Sequence, residues 1–268
     1  MSGFLRKTVL ITGGASGIGK IMSRLSLERG ASVVVWDINA QALTDTVAEL
    51  SRTGSIVGYR ADLSDCEQIT QTARKTIAEV GMIDILINNA GVVTGDFFHA
   101  HEPEDIAQTV AVNMLAPMYL TRIFLRDAIA RKSGHVCNIA SMASLISNPK
   151  MSVYAASKWA ITGWSDSLRL EMTRLKTQVK VTTVLPYYIN TGMFDGVRSL
   201  IPLLDQEKVA LKIIRAIERD RIFLDMPCSH RLVRLMQGLL PVRWFDLVAG
   251  EWLGIYRTME HFTGRKTN

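Results

Sequence analysis

The sequence predicts an α/β protein built on one mostly parallel, doubly wound sheet with helices on both faces. Three observations predict this class. Short apolar runs alternate with amphipathic helical patterns along nearly the whole chain. The first apolar run passes through a glycine-rich turn, residues 12–19, directly into a helical pattern. Polar or turn-forming residues then end most of the strands, at the edge where such sheets bind ligands.

The predicted elements fill a single domain, residues 1–268, without an internal repeat or linker. Strands buried on both faces read as continuous apolar runs bounded by turn residues. This pattern predicts strands at residues 8–12, 32–37, 55–60, 83–87, 134–140, 180–185 and 222–224. Apolar spacing of three and four residues predicts helices at 17–29, 64–80, 153–176 and 206–219. It also predicts a helix that follows the second strand and ends near residue 52, and two helices within 103–131. The alternation indicates a Rossmann-type sheet of seven strands.

The turn after the first strand has the spacing Gly13-x-x-x-Gly17-x-Gly19. Glycine lets the backbone turn sharply and lets a phosphate approach it, and the following helix offers free N–H groups. Asp37 ends the second strand, where a dinucleotide site places a carboxylate for the ribose hydroxyls. Alternatively, Asp37 caps the start of the next helix.

Tyr154 and Lys158 are four residues apart in the long predicted helix, so their side chains lie on one face. A phenol has an ordinary pKa of about 10, and a nearby ammonium lowers it by stabilising the phenolate. Tyr154 could then exchange a proton with an alcohol or a carbonyl, and Ser141 could hydrogen-bond the same oxygen. On an exposed helix face, the same Tyr–Lys pair would have no catalytic meaning.

Taken together, these motifs resemble the short-chain dehydrogenase/reductase family, in order and in approximate spacing. The matching residues are Thr12, Gly13, Gly17, Gly19, Asp62, Asn88, Asn89, Ala90, Gly91, Asn113, Ser141, Tyr154, Lys158, Pro186 and Thr191. The resemblance implies a nicotinamide-dependent oxidoreductase, and the C-terminal part is similar to the retinol and hydroxysteroid dehydrogenase branch.

The resemblance also implies a role for each catalytic residue. Tyr154 would be the general acid/base, and Lys158 would lower its pKa and hold the nicotinamide ribose. Ser141 would position the substrate oxygen, and Asn113 would support a water-linked proton path. The residues expected to bind the cofactor are Gly13, Ser16, Gly17, Ile18, Gly19, Asp37, Asp62, Leu63, Asn89, Ala90, Gly91, Tyr154, Lys158, Pro186, Ile189 and Thr191.

The expected cofactor is NAD, with NADP less favoured. Asp37 would accept hydrogen bonds from both ribose hydroxyls but repel a 2′-phosphate. Ser16, inside the glycine loop, is not basic. Lys20 and Arg60, the nearby cations, are expected to be solvated.

Pro117 stands four residues after Asn113 in a helical stretch. Because proline has no N–H, the Asn113 carbonyl should lose its helical partner and the helix should bend there. The freed carbonyl could bind a water beside the site, although a kink without consequence is equally compatible with the sequence.

Two apolar segments could shape the substrate site. The first, residues 191–204, is predicted to be a lid, and its apolar character favours a lipophilic alcohol or ketone. It follows Tyr187, which stands where the family usually has glycine. The second segment, residues 226–268, contains an amphipathic basic pattern. It is expected to cover the cleft or a subunit interface, or else to touch a membrane surface.

Composition narrows the remaining possibilities. The 268 residues carry a net charge of +6, but the basic residues are scattered, so no nucleic-acid partner is expected. Neither the three cysteines nor the five histidines have metal-like spacing, and no metal is expected. The histidines are predicted to be ordinary surface or loop residues, and Cys137 a small core residue. Only a few residues precede the first strand, and a cytoplasmic protein with optional membrane association is expected.

The leading hypothesis is therefore an NAD-dependent oxidoreductase for a lipophilic secondary or long-chain alcohol or ketone. A non-catalytic dinucleotide sensor on the same fold is one alternative, and a reductase of small polar ketones is another. The resemblance further implies a homodimer or homotetramer formed through the long helices near Asn113 and Tyr154. Small residues on the second of these helices would permit their close approach, although such residues also suit packing on the sheet.

Overall fold

The computed structural model describes residues 3–227 and 230–264. Within them, seven parallel strands form one sheet with the order β3-β2-β1-β4-β5-β6-β7. The strands are β1 (Thr8–Thr12), β2 (Ser32–Asp37), β3 (Ile56–Arg60), β4 (Ile85–Asn88), β5 (His135–Ile139), β6 (Lys180–Pro186) and β7 (Phe223–Met226). The order reverses between β1 and β4, and the predicted Rossmann-type, seven-stranded sheet is confirmed.

Nine α-helices connect or follow these strands in the described part of the chain. They are α1 (Gly17–Leu27), α2 (Ala40–Leu50), α3 (Cys66–Val80), α4 (Pro103–Val110), α5 (Ala116–Ala130), α6 (Ser152–Arg174), α7 (Gln206–Glu218), α8 (His230–Leu239) and α9 (Val242–Phe245). None of the described helices is long and apolar enough to cross a bilayer.

The core has two main layers because alternate residues of each strand face opposite sides of the sheet. Val9 and Ile11 of β1 pack in one layer with Met22 of α1 and Ile213 of α7. Leu10, between them, belongs to the other layer, which includes residues of α3 and α5. All three β1 residues are fully buried, which explains why the strand reads as a continuous apolar run.

Several helix ends differ from the predicted bounds by one or two residues. Helix α1 ends at Leu27 rather than Arg29, because Gly30 adopts a φ of 78° and lets the Ala31 N–H bond the Ser26 carbonyl. This closure satisfies carbonyls that the helix would otherwise leave unpaired. Apolar spacing alone does not reveal such local closures.

The chain around Asn113 departs from α-helical geometry, as the proline argument predicted. Residues Ala111–Leu115 form a π-helical turn between α4 and α5, in which the Ala116 N–H bonds the Ala111 carbonyl. A π turn inserts one extra residue into the helix and often marks a functional site. That the Asn113 carbonyl is free to bind a water stays a prediction.

His135 contradicts the expectation that all five histidines lie at the surface or in loops. It begins β5, is buried, and its Nε2 lies 2.8 Å from the Thr182 hydroxyl on β6. Its position at the edge of the sheet opposite the strands' carboxyl ends separates it from the ligand edge. Cys137, on the same strand, is buried as predicted, whereas Cys228 lies outside the described residues.

Candidate active site

A cleft of about 340 Å³ opens at the carboxyl ends of the strands. It is lined by every residue that the sequence assigned to the cofactor or to catalysis, with the exception of Asn113. No group of three or more potential metal ligands comes together anywhere in the described ranges.

The glycine loop brings main chain against main chain. A Cβ on Gly19 would lie 2.1 Å from the Gly13 carbonyl oxygen, and a Cβ on Gly13 would lie 3.0 Å from the Ala90 Cα. Gly13 also has a φ of +62°, in the region that favours glycine. Gly13 and Gly19 therefore leave no room for side chains and bring backbone to the cleft.

Helix α1 begins at this loop with its first N–H groups uncapped. Ser16 is the N-cap residue, but its side chain makes no capping hydrogen bond, and the first turn contains no acidic residue. An uncapped helix N-terminus favours an anion such as a pyrophosphate. The residues present thus fit the phosphate portion of a dinucleotide cofactor.

Asp37 is not the N-cap of helix α2, and its role toward a ribose stays a prediction. Its Oδ2 accepts a hydrogen bond from the Ala15 N–H at 3.1 Å, and its Oδ1 accepts one from the Asn39 N–H at 3.0 Å. Helix α2 itself is capped by Asn39, whose side chain accepts from the Ala42 N–H. The carboxylate is thus held against the glycine loop and still lines the cleft.

Thr12 is a residue whose structural role sequence reasoning missed. Its hydroxyl accepts hydrogen bonds from the N–H groups of Asn89 and Ala90, at 3.0 and 3.1 Å. In return, the Asn89 Nδ2 donates to the carbonyls of Thr12 and Gly13. This exchange locks the ends of β1 and β4 together on either side of the switch point. The signal was the position of Thr12 at the end of the first strand.

Asn113 is buried, and its side chain holds the loop after β4. Its Oδ1 accepts from the Val92 N–H at 2.8 Å, while its Nδ2 donates to the Val92 carbonyl at 2.9 Å and to the Ser157 hydroxyl at 3.2 Å. The Ser157 hydroxyl in turn donates to the Tyr154 carbonyl. The Asn113 side chain therefore joins the π turn, the loop and the first turns of α6.

Tyr154 and Lys158 both face inward from α6 rather than outward to solvent. Their relative exposures are 5% and 4%. Lys158 Nζ donates to the Ile139 carbonyl at the end of β5, at 3.0 Å, and lies 5.6 Å from the centre of the Tyr154 ring. Ser141, just beyond β5, hydrogen-bonds the Tyr154 phenol. The interpretation as an exposed pair without chemical meaning is therefore excluded.

Burial shifts both groups away from their charged forms. Burial raises the pKa of Tyr154 to about 12, although the hydrogen bond with Ser141 opposes that rise. Burial likewise lowers the pKa of Lys158 to about 8. In the polypeptide, the direction for the pKa of Tyr154 is thus opposite to the expected lowering, because loss of solvation outweighs the hydrogen bond with Ser141. Near pH 7 the phenol is protonated, and Lys158 is mostly charged.

The other half of the cleft is walled by large side chains. Phe194, in the predicted lid, packs edge-on against Tyr154 and Tyr188, with ring centres 6.0 and 5.0 Å apart. Tyr187, which replaces the family's glycine, donates to or accepts from the Ser199 hydroxyl at 2.7 Å and so ties the lid to β6. Further wall residues are Met142, Ile146, Asn148, Met151, Met193 and Ile255.

The C-terminal segment covers this half of the cleft with its inner side. Phe245 and Ala249 pack against Met142 and Ile146, and Met259 packs near Tyr154. Its outer side carries apolar residues that stay exposed: Leu232, Leu235, Leu239, Val242, Trp244, Leu247, Trp252 and Leu253. The inner side therefore agrees with the expectation that the segment covers the cleft, but covering the cleft does not account for the exposed outer side. Arg265 and Lys266, part of the predicted basic pattern, lie outside the described residues.

Comparison with known proteins identifies the family of this chain. The short chain dehydrogenase family model matches residues 7–200, which includes the whole nucleotide half of the cleft. The chain belongs to the short-chain dehydrogenase family. It is thus an oxidoreductase of that family, related to retinol and hydroxysteroid dehydrogenases.

Among characterised relatives of this family member, mouse epidermal retinol dehydrogenase 2 is 35% identical over 265 residues, covering 96% of this chain and 85% of the relative. Estradiol 17-beta-dehydrogenase 11 from Pongo abelii is also 35% identical, over 244 residues, covering 90% of this chain and 81% of the relative. Both alignments extend past the family model's last matched residue, so the likeness includes part of the C-terminal segment.

Two solved structures share the fold and contain dinucleotides. A short-chain dehydrogenase from Burkholderia phymatum in complex with NAD has a TM-score of 0.81 and 26% identity, covering 89% of this chain and 95% of the other. A metagenomic short-chain oxidoreductase in complex with NADP has a TM-score of 0.72 and 28% identity, covering 84% and 96%. Proteins of this architecture therefore bind either nicotinamide dinucleotide.

Proposed function

We propose that the protein is an NAD-dependent dehydrogenase or reductase of lipophilic secondary or long-chain alcohols and ketones, with Tyr154 as its general acid/base. One observation carries the proposal. A buried phenol, hydrogen-bonded to Ser141 and flanked by the Lys158 ammonium, lines the same cleft as the glycine loop. The catalytic group and the dinucleotide site therefore share one space.

The chain's own residues supply proton transfer and orientation. The bound nicotinamide would donate or accept the hydride at the carbinol carbon. Because the pKa of Tyr154 is about 12, the phenol holds its proton near pH 7 and can give it to a carbonyl oxygen. Ser141 orients that oxygen, and the Lys158 ammonium stabilises the phenolate that remains. In the oxidative direction the phenolate form of Tyr154, stabilised by the Lys158 ammonium, takes the alcohol proton.

The preference for a lipophilic substrate is supported by the wall around Tyr154. Phe194 and Tyr188 present ring edges and faces there, and Met142, Ile146 and Ile255 continue the apolar lining. Such a surface gains free energy by burying hydrocarbon, at about 25 cal/mol per Å². It offers little to a small polar ketone.

The preference for NAD is supported by Asp37 and by the positions of the nearest cations. Asp37 borders the cleft at the end of β2. Lys20 Nζ is engaged by Glu49 at 2.7 Å, and Arg60 Nε donates to the Ile38 carbonyl. We expect NADH to bind at least about tenfold more tightly than NADPH, since a carboxylate repels the 2′-phosphate. Asp37→Ser should narrow this ratio, and equal affinities in the native chain would refute the preference.

The acid/base assignment is tested with a panel of secondary and long-chain alcohols and NAD. Tyr154→Phe should lower kcat by about 10²- to 10⁴-fold, because the proton path is lost while the ring still packs. Tyr59→Phe is the matched control. Tyr59 is also buried and its pKa is also raised to about 12, but its hydroxyl donates to Glu79 of α3 and it does not line the cleft. Unchanged turnover in Tyr154→Phe would refute the acid/base assignment, whereas a native chain that turns over no substrate in the panel would favour the sensor hypothesis.

A homo-oligomer is supported by the outer face of α6. Ala156, Trp159 and Gly163 are exposed there, and a Cβ on Gly163 would meet no described atom within 4 Å. Small residues beside an exposed tryptophan permit close helix contact. Light scattering should then give a dimer or tetramer that Ala156→Arg dissociates, and a monomeric native chain would refute the proposal.

The proposed protein is cytoplasmic and touches a membrane peripherally. The outer side of the C-terminal segment supports this membrane contact. Leu232, Leu235 and Leu239 form one exposed stripe along α8, and Arg234 and Arg243 are exposed beside it. Apolar side chains flanked by arginines suit the interface of an anionic bilayer. Sedimentation with phosphatidylserine vesicles should pull the protein down, whereas Leu235→Glu/Leu239→Glu should stay in solution. If the native chain does not sediment with the vesicles, the membrane contact is excluded. The contact is also excluded if Leu235→Glu/Leu239→Glu dissociates a dimer instead of abolishing vesicle binding.

A further inference from the structure

One polar side chain in the substrate half of the cleft has a function that the proposed mechanism does not use. Asn148 lies in the loop before α6 and lines the cleft. Its Nδ2 donates to the Tyr188 hydroxyl and to the Thr258 hydroxyl, both at 3.0 Å. Its Oδ1 is buried and has no hydrogen-bond partner among the described residues.

The hydrogen bonds around Asn148 decide which atom of the amide is left over. The Thr258 hydroxyl donates to the Ile255 carbonyl at 2.9 Å, so toward Asn148 it can only accept. The amide must therefore turn its NH₂ group toward Thr258, which leaves the carbonyl oxygen as the unpaired atom. Asn148 consequently presents an acceptor that lacks a donor.

A buried acceptor without a donor is uncommon in folded proteins, because it has lost its hydration and gained nothing in return. Asn148 Oδ1 has no donor among the described residues, and Ile146, Met151 and Ile255, which also line the cleft, have apolar side chains. The reacting oxygen is already served by Ser141 and Tyr154. The missing donor must then come from another part of a molecule that enters the cleft.

We propose that Asn148 Oδ1 accepts a hydrogen bond from a second hydroxyl of the substrate, distinct from the oxygen that reacts at Tyr154. This inference rests on the proposed function and narrows its substrate class to lipophilic alcohols or ketones that carry an additional hydroxyl. Tyr188 and Thr258 act as positioning residues, because they hold the amide with its oxygen free. Since Thr258 belongs to the C-terminal segment, that segment helps to set the specificity.

The mechanism of discrimination follows from the unpaired acceptor. A substrate without the second hydroxyl leaves Oδ1 buried and unsatisfied, so it is bound less tightly in the ground state and in the transition state alike. A substrate with a second carbonyl in the same place brings acceptor against acceptor and gains nothing. The geometry therefore distinguishes a hydroxyl from both hydrogen and a ketone.

The test uses long-chain 2-ketones that carry one hydroxyl at successive positions, with the unsubstituted ketone and the corresponding diketones as references. In the native chain, one hydroxyl position should raise kcat/KM by about tenfold over the unsubstituted ketone. Asn148→Leu should abolish this gain, so that the ratio of kcat/KM between the hydroxylated and the unsubstituted ketone falls to about one.

A binding measurement separates this proposal from the proposed function. Calorimetry on Tyr154→Phe should show tighter binding of the hydroxylated ketone, and Asn148→Leu/Tyr154→Phe should lose the difference. If the native chain reduces no ketone but calorimetry shows the difference, only the proposed function fails. Two results would overturn the proposed hydrogen bond to Asn148 Oδ1. One is an equal loss of kcat/KM for both ketones in Asn148→Leu, and the other is a native chain in which no hydroxyl position raises kcat/KM. Should Asn148→Leu not fold, Asn148→Ala provides the same comparison.

Discussion

In the nucleotide half of the cleft the glycines bring main chain into close contact at the wall, whereas the substrate half is walled by large side chains. Gly13 and Gly19 bring backbone into direct contact, and Thr12 and Asn89 bond backbone groups of β1 and β4. The substrate half instead depends on side chains from the loop before α6, the lid and the C-terminal segment.

This difference decides how each half responds to change. A wall of backbone has one shape, and almost any added atom spoils it. A wall of side chains can be refitted one residue at a time, so substrate range can change while the cofactor site stays constant. The predictions below are arranged to break or sharpen this contrast, beginning with the largest expected effect.

Gly19→Ala should damage the nucleotide half most. The new Cβ would lie 2.1 Å from the Gly13 carbonyl and 2.7 Å from Asn89 Nδ2, and the clash with backbone cannot be relieved by a rotamer change. We expect NADH affinity to fall at least about a hundredfold and the free energy of unfolding to fall by about 2–4 kcal/mol. Fluorescence titration and urea unfolding measure the two losses.

Gly238→Ala is the matched control, because its Cβ would find open space on α8. Alanine in a helix is favoured over glycine by about 0.5–1 kcal/mol, so this variant should be slightly more stable and bind NADH normally. If Gly19→Ala behaved like Gly238→Ala, the contrast between backbone and side-chain walls would be wrong.

His135 tests a region outside both halves. Burial lowers its pKa to about 4 from 6.5, so between these values the unfolded chain binds more protons than the folded one. The free energy of unfolding should therefore rise from pH 4 to pH 6.5, by about 3 kcal/mol from this residue, and that stability is lost as the pH falls.

Urea unfolding across this pH window measures the slope. His135→Gln should flatten it, while the NADH affinity and the substrate KM at pH 7 stay near the native values because the residue lies at the opposite edge of the sheet. A slope that is unchanged in His135→Gln would mean that other groups cause it.

Phe194→Ala should give the smallest effect, and one confined to the substrate half. Removing the ring exposes Tyr154 and Tyr188, which it contacts. The loss of about 2 kcal/mol of apolar contact should raise KM for a long-chain ketone by about thirtyfold, with NADH affinity within a factor of two. Phe194→Leu should restore most of the binding. Weakened NADH binding in Phe194→Ala would show that the two halves are not independent.

Much of the fold could be predicted from the sequence because its signals are local. The apolar run of β1 and the glycines after it are contiguous, and the proline N–H missing after Asn113 indicated irregular helix geometry there, although as a bend and not as the π turn that the structure has. The ends of helices were less accessible, since the closure of α1 depends on the left-handed Gly30. His135 was misassigned because only tertiary contact with β6 shows that it is buried.

The site divided in the same way. Tyr154 and Lys158 were found from their spacing on one helix, but the rise in the pKa of Tyr154 depends on how completely the surrounding chain excludes water. The anchor at Asn148 could not be predicted, since Tyr188 and Thr258, which hold its amide, are distant in sequence and meet it only in the folded chain.

The bond from Lys158 to the Ile139 carbonyl fastens the first turns of α6 to the end of β5. The link from Asn113 through Ser157 to the Tyr154 carbonyl fastens them on another side. Neither bond involves the stretch from Met142 to Met151, so that part of the loop could change in evolution and admit new substrates while Tyr154, the proposed proton donor, and Ser141 stay in place.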